Sequence, residues 1–209
     1  MDFENGRLRV VGVGGTLRRN SSSLGALRRA LCAAEKAGAE VELLDLRELM
    51  LPMYEPGKAL DSYGPQVRRF IEAMRGADAL ILSTAAYHGT LAGVTKNALD
   101  FTHLLAREER PYLDGRVAGL ISTAGGDRAA ANTTDAMVYV VHALRGGVAP
   151  QMVTIGGARQ RTDEGVNITD EGSGRRLDRL GRLVVSMAEG LDPGRAPGAR
   201  RAEALGVAV

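Results

Sequence analysis

The sequence predicts an α/β fold, a doubly wound parallel sheet of five strands with helices on both faces, on three observations. Five short apolar runs alternate with segments of helical period. The runs are apolar at nearly every position, as strands covered on both faces require, whereas a strand with one wet face alternates. A stretch rich in glycine, hydroxyls and arginine follows the first run, where such sheets place their ligand-binding turns.

The first strand is expected at residues 8–13, and the first helix from about Ser23 to Gly38. In that helix Leu24, Leu27, Leu31 and Ala34 recur every three or four residues, with Arg28, Arg29, Glu35 and Lys36 opposite. Cys32, the single cysteine, falls on it and is read as a small buried hydrophobe. The second strand is expected at 41–46. The connection from there to Pro65 carries Leu49, Leu51, Met53, Tyr54 and Pro56 and is unusually apolar. It either folds back on the domain or is covered by a partner subunit, and we read it as a homo-oligomer contact. The second helix starts at Pro65, a favourable first-turn residue, and buries Val67, Phe70, Ile71 and Met74.

The third strand is expected at 79–83 and the third helix at 92–105, with Val94, Ala98, Leu99 and Phe101 inward. The fourth strand spans 117–122, and its helix carries Met137, Val140, Val141 and Leu144. The fifth strand is expected at 151–155. A polar loop, 156–173, then leads through Thr169-Asp-Glu-Gly into a last helix with Leu177, Leu180, Val184 and Leu191 inward. Residues 1–191 thus form one expected domain, and 192–209, rich in proline, glycine and arginine, an expected flexible tail.

The chemistry concentrates after the first strand. Gly14 and Gly15 let the chain turn tightly, Thr16, Ser21, Ser22 and Ser23 offer hydroxyls, and Arg18 offers a forked cation, all at the start of a helix. Free N–H groups at a helix start favour an anion, so a phosphate ester is the expected guest. Gly12 and Gly14 open a dinucleotide fingerprint whose third small residue would fall on Leu17, too bulky for close strand–helix contact. The one Gly-Lys, Gly57-Lys58, lacks the Walker pattern. A loop of hydroxyls after the first strand suits the phosphate of FMN; the bland alternative is a glycine-rich turn with solvated arginines.

Two further loops should converge with it beyond the carboxyl ends of the strands. These are Thr84-Ala-Ala-Tyr-His-Gly-Thr-Leu-Ala-Gly93 and Thr123-Ala-Gly-Gly-Asp127. Gly89, Gly125 and Gly126 would let backbone amides approach a flat ring, Tyr87 could pack on it, and His88 or Thr90 could bond its edge.

Composition excludes several classes. With 209 residues, 44% hydrophobic, 25% charged, and a net charge of +2, the chain reads as one globular domain with ordinary surface charge. Aromatics at 4% and no tryptophan argue against a nucleic-acid surface. No run is long enough for a membrane span, the start lacks a signal-peptide pattern, and a cytoplasmic location is the default expectation. No cluster of His, Cys and carboxylates has metal-ligand spacing.

Here the chain resembles a known family. Gly15-Thr-Leu-Arg-Arg-Asn-Ser21 resembles the Gly-Ser-Leu-Arg-x-x-Ser phosphate loop of the NADPH-dependent FMN reductases. Tyr87-His-Gly-Thr-Leu-Ala-Gly-Val-Thr-Lys-Asn-Ala-Leu-Asp100 resembles their Tyr-Asn-Gly-Ser-x-x-Gly-x-Leu-Lys-Asn-Ala-Leu-Asp segment. The resemblance implies a flavodoxin-like sheet of order 2-1-3-4-5 and a homodimer or homotetramer. It implies FMN held at the phosphate by Thr16, Arg18, Ser21, Ser22 and Ser23, with Ala85, Ala86, Tyr87, His88, Gly89 and Thr90 beside the ring. Ser122, Thr123, Ala124, Gly125 and Gly126 would lie along its other edge. NADPH or NADH would be the hydride donor, and a flavin, quinone or similar small molecule the electron acceptor. Lys96, Asn97 and Asp100 match family positions where a structural role competes with ligand contact. This chain departs at Ala85-Ala86, where members commonly carry Pro-Glu, and at His88, where they carry asparagine. No acid–base residue is obligatory for hydride transfer to a flavin. The rival from another class is an FMN-binding electron carrier or redox-responsive interaction protein that never meets NAD(P)H.

Overall fold

The computed structural model describes residues 7–164 and 166–191, so the expected tail at 192–209 lies outside the described residues. The chain runs β1 (Arg9–Gly14), α1 (Ser22–Lys36), β2 (Glu40–Asp45), α2 (Leu46–Leu49), α3 (Pro65–Gly76), β3 (Ala79–Tyr87), β4 (Thr90–Leu91) and α4 (Gly93–Asp100). It continues through β5 (Val117–Thr123), α5 (Asp127–Ala143), β6 (Gly147–Val148), β7 (Val153–Ile155), β8 (Thr162–Asp163), β9 (Asn167–Ile168) and α6 (Glu171–Leu191). Short 3-10 turns cover Leu60–Ser62 and Phe101–Leu105.

The main sheet is parallel in the order β2-β1-β3-β5, with β6 and β7 both laid on the outer side of β5 and the short β4 antiparallel on β3. The expected 2-1-3-4-5 order is met, but the fifth strand is divided. Ala118 faces Val148 and Ile121 faces Val153, so residues 149–152 span what only Gly119 and Leu120 span opposite. Pro150 lies in that surplus, where a residue without an N–H cannot continue a ladder.

Side chains alternate between two apolar cores. Val11, Val13, Leu44, Leu80, Leu82, Ala118 and Leu120 join Val67, Phe70, Ile71 and Met74 of α3, Ala98 and Leu99 of α4, and Met137 and Val141 of α5. Val10, Ala79, Ile81, Val117, Ile121 and Val153 turn the other way, toward Leu27 and Leu31 of α1 and Leu177, Leu180 and Val184 of α6. Both sheet faces are dry, which explains the unbroken apolar runs. Helix α1 sits low on the sheet, since a Cβ at Gly12 would lie 2.5 Å from a Leu31 methyl. Helix α6 closes on α1 through Gly181, where a Cβ would lie 2.2 Å from the Ala30 carbonyl oxygen. A forked pair from Arg29 to Asp178, both bonds 2.9 Å, ties the two helices.

Several expectations are corrected. The third helix is α4 followed by 3-10 turns rather than one helix, and β3 extends to Tyr87. Cys32 is exposed, because Ala30, Leu31, Ala33 and Ala34 already fill the inward stripe of α1. Leu191 is exposed, while Val185 and Ala188 take the inner positions. The connection after β2 folds back on its own domain. Leu49 and Tyr63 are buried, and Tyr54 meets Phe101 edge-on at 5.5 Å. Asn97 holds that connection, accepting from the Tyr54 N–H at 2.9 Å and donating to the Pro52 carbonyl at 2.8 Å. Met50 and Met53 remain exposed on it. No helix among the described residues is long and apolar enough to cross a membrane.

The rim at the amino ends of the strands is closed by Arg116, 3% exposed. Its guanidinium donates to the carbonyls of Ala77, Tyr112 and Arg75 at 2.8, 3.0 and 2.9 Å. Burial pulls its pKa down to about 10, so it stays charged at neutral pH. Three carbonyls depend on one cation. Arg116→Met is expected to cost about 2–4 kcal/mol, read as a lowered midpoint in equilibrium urea unfolding; an unchanged midpoint would show that water replaces the clamp.

Candidate functional site

The register sets the opposite rim. Asp45, Gly14, Ser83, Ile121 and Val153 lie level across the sheet; β1 and β2 end at that level, while β3 and β5 run on to Tyr87 and Thr123. The winding direction reverses between β1 and β3, which leaves room above them for a ligand.

The start of α1 is fixed over that gap. A Cβ at Gly14 would lie 2.4 Å from the Ser83 carbonyl oxygen, and Gly15 has φ +93, a left-handed turn that suits glycine. Ser21 caps the helix, its hydroxyl accepting from the Leu24 N–H at 3.4 Å and contacting the Ser23 hydroxyl at 2.9 Å. Ser83 donates to the Ser23 carbonyl at 2.8 Å, anchoring the first turn to β3. These bonds leave the N–H groups of Ser22 and Ser23 without a protein acceptor among the described residues. The Ser22 hydroxyl lies 3.4 Å from that of Thr123, joining the helix start to the end of β5.

A cleft of about 470 Å³ opens there, lined by Arg18, Ser22, Ala85, Ala86, Tyr87, Thr123, Ala124 and Gly125 together with Ala158, Arg159 and Gln160. A neighbouring hollow of about 340 Å³ shares Arg18 and Tyr87 and adds Thr16, Leu17 and the start of α4. Thr16 is buried and its hydroxyl accepts from the Arg18 N–H at 3.3 Å, which shapes the loop. The sequence-derived set therefore converges in large part, with exceptions that have physical causes.

The hydroxyls of Ser21 and Ser23 are buried and engaged with each other. Ser122 is wholly buried, its hydroxyl donating to the Ala130 carbonyl and contacting Thr134, each at 2.7 Å, so it steadies α5 and does not line the cleft. His88 and Gly89, with φ 52 and 84, form the two-residue turn between β3 and β4, and Tyr87 pairs with Thr90 across it. Thr90, His88 and Gly89 are exposed at its tip, and Gly126 is exposed as the residue before α5.

Ala158, Arg159 and Gln160 were not anticipated. They follow the last parallel strand, so the rule that ligands gather beyond the carboxyl ends covers them too, although their sequence carries no motif. This segment is held to the site. Ala124 N–H donates to the Ile155 carbonyl and Ala158 N–H to the Ala124 carbonyl, both at 2.9 Å. Farther on, β8 and β9 form a hairpin against α1, where Asn20 donates to the Glu164 carbonyl at 3.0 Å and a Cβ at Gly25 would lie 1.6 Å from the Val166 carbonyl oxygen.

The donor set fits a phosphate ester: two free N–H groups at a helix start, a hydroxyl and an arginine with no carboxylate partner among the described residues. The walls fit a planar ring. Small side chains at Ala85, Ala86 and Ala124 flank the opening, and Gly125 and Gly126 have open space where a Cβ would stand.

The fold is that of a flavodoxin-like α/β protein, with a cleft at the start of its first helix. A family model described as NADPH-dependent FMN reductase matches residues 8–160, and the chain belongs to that family. It is 33% identical over 119 residues to an NAD(P)H-dependent FMN reductase of Pseudomonas aeruginosa, covering 57% of this chain and 61% of the relative. It is 29% identical over 122 residues to an NADPH:quinone oxidoreductase of Arabidopsis thaliana, covering 57% of this chain and 59% of the relative. The chain thus spans about three fifths of the length of these relatives. Among solved structures, the flavoenzyme NAD(P)H:acceptor oxidoreductase of Paracoccus denitrificans superposes with a TM-score of 0.66 at 22% identity, covering 88% of this chain and 98% of that one. A flavone reductase gives a TM-score of 0.68 at 19% identity over 87% of this chain and 63% of that one, so the fold is shared.

Gly25→Ala is expected to push the β8–β9 hairpin off α1, costing about 1–3 kcal/mol and speeding amide hydrogen exchange at Thr162, Asp163, Asn167 and Ile168. Unchanged exchange there would mean that the hairpin does not depend on this contact.

Proposed function

We propose that the chain is an FMN-dependent NAD(P)H oxidoreductase that passes electrons from a nicotinamide donor to a small acceptor such as free flavin or a quinone. The observation that carries this reading is the cleft in which the free N–H groups of Ser22 and Ser23 and the Arg18 side chain meet a slot between residues 85–87 and 123–125. Membership of the NADPH-dependent FMN reductase family and the names of the relatives support it.

In this reading Ser22, Arg18 and the first turn of α1 hold the phosphate, and Thr16 shapes their loop. Ser21 and Ser23 act through the backbone they position. Ala85, Ala86 and Tyr87 form one wall for the ring, with His88, Gly89 and Thr90 setting the turn that presents Tyr87. Thr123, Ala124, Gly125 and Gly126 form the other wall, supported from beneath by Ser122. When bound, FMN supplies the redox chemistry, accepting a hydride from the nicotinamide and passing two electrons on. The protein's share is to hold two rings in contact and offer amide dipoles to the charge that develops on the flavin. No side chain is assigned as an acid or base.

A single FMN-binding domain over 1–191, a cytoplasmic location and assembly as a homodimer or homotetramer belong to the same proposal. Met50 and Met53, left exposed by a connection that otherwise folds inward, are the surface for such a contact.

Titration with FMN, followed by flavin fluorescence and by NADPH oxidation with a quinone or excess FMN, tests the reading. Binding with turnover is expected, whereas binding without turnover would make the protein a carrier. Arg18→Ala is expected to weaken FMN by about 1.5–3 kcal/mol; an unchanged dissociation constant would move the phosphate elsewhere. Gly125→Val should fold normally, since its Cβ meets open space, and should lose FMN because the side chain enters the slot. Full occupancy in that variant would remove the 123–126 loop from the site.

A further inference from the structure

We propose that Arg159 is a second phosphate-binding residue of the flavin site, supplied from the segment after the last parallel strand and set across the cleft from Arg18. The inference rests on the cleft being an FMN site and extends it to a part of the chain that no phosphate-loop motif covers.

Arg159 lines the same cleft as Arg18, Ser22 and Thr123. Neither arginine side chain has a hydrogen bond or carboxylate partner among the described residues, although the neighbouring Arg161 reaches Asp170 at 3.6 Å. Two unpaired cations bordering one cleft repel each other, an arrangement that an anion between them relieves. A phosphate monoester carries about 1.5 to 2 negative charges at neutral pH, more than Arg18 alone can neutralise.

The backbone beneath Arg159 is built to keep it in place. Gly157 has φ +58, and the Gln160 N–H donates to the Gly157 carbonyl at 2.9 Å, closing a tight turn that presents Arg159. The Thr162 hydroxyl donates to the Ala158 carbonyl at 2.8 Å. Gly156 lies so close to the start of α5 that a Cβ would stand 2.0 Å from Asp127 Oδ1. The segment is bonded to the 123–126 loop on one side; on the other, Asn20, just before α1, donates to the Glu164 carbonyl, and Val166 packs closely on Gly25 of α1. The frame that carries Arg159 is therefore the frame that carries the free N–H groups of Ser22 and Ser23. Arg159 lines the cleft together with Arg18 and Ser22, and its guanidinium suits bidentate bonding to phosphate oxygens.

The test compares FMN with riboflavin, which has the same ring and lacks the phosphate, by fluorescence titration of wild type, Arg159→Ala and Arg159→Lys. Because the Arg159 side chain is exposed and makes no bond among the described residues, both variants are expected to fold as wild type does. Arg159→Ala should raise the dissociation constant for FMN about tenfold to a hundredfold and leave that for riboflavin within about twofold, with Arg159→Lys recovering part of the loss. Equal FMN affinity in Arg159→Ala and wild type, or equal losses for FMN and riboflavin, would overturn the proposal. So would an unchanged FMN affinity with a selective loss of kcat/KM for NADPH over NADH, since the cation would then serve the donor's phosphate. Failure of wild type itself to bind FMN would instead overturn the reading of the cleft on which the proposal stands.

Discussion

The structure depends on how closely β1 approaches β3 beneath the start of α1. Gly14 stands level with Ser83, and no Cβ fits between it and the Ser83 carbonyl. The same Ser83 donates to the Ser23 carbonyl, so one residue of β3 sets both the strand spacing and the height of the helix start. Ser21 then satisfies the N–H of Leu24, and two N–H groups are left facing the rim. These contacts leave a helix start whose partial positive charge water or a ligand must satisfy, which is what the proposed anion site rests on.

Glycine has two separate uses in this first strand and loop. Gly12 and Gly14 lie within β1 and exist for packing, one under Leu31 and one beside Ser83. Gly15 exists for its left-handed turn. The spacing that starts like a dinucleotide fingerprint is thus a consequence of a helix lying low on the sheet, and it breaks off at Leu17, which is 59% exposed.

The fold was legible in the sequence because two dry sheet faces leave unbroken apolar runs, and the helices between them carry one stripe each. What escaped was set by partners remote in sequence. The surplus of residues around Pro150 shows only against the register of β5. Cys32 falls on the outer side of α1 because its neighbours fill the inward stripe, a difference of one position that an alanine-rich helix hides. Around the cleft, the loop rule named segments that the structure does bring together, but residue type alone could not assign hydroxyls. Ser122 looks equivalent to Thr123 in sequence, yet alternation along β5 sends it into the interior, to Ala130 and Thr134, and leaves Thr123 beside Ser22. His88, read from sequence as an ionisable group beside a ring, sits in a left-handed turn position, where asparagine and histidine are both tolerated. Arg159 carried no local signal, and only the hairpin docked on α1 explains its place.

The central claim is that this rim holds a phosphate ester in its charged form by free amides and unpaired guanidinium groups. The most direct measurement is the phosphorus NMR resonance of FMN bound to the protein, followed as pH falls through the range in which the free ester takes up its second proton, about pH 6. The account predicts that the bound signal stays at the dianion position well below that range, because every donor around it favours the charged form. A bound signal that titrates as it does in water would contradict the account, by showing that the phosphate lies in solvent and the rim grips something else.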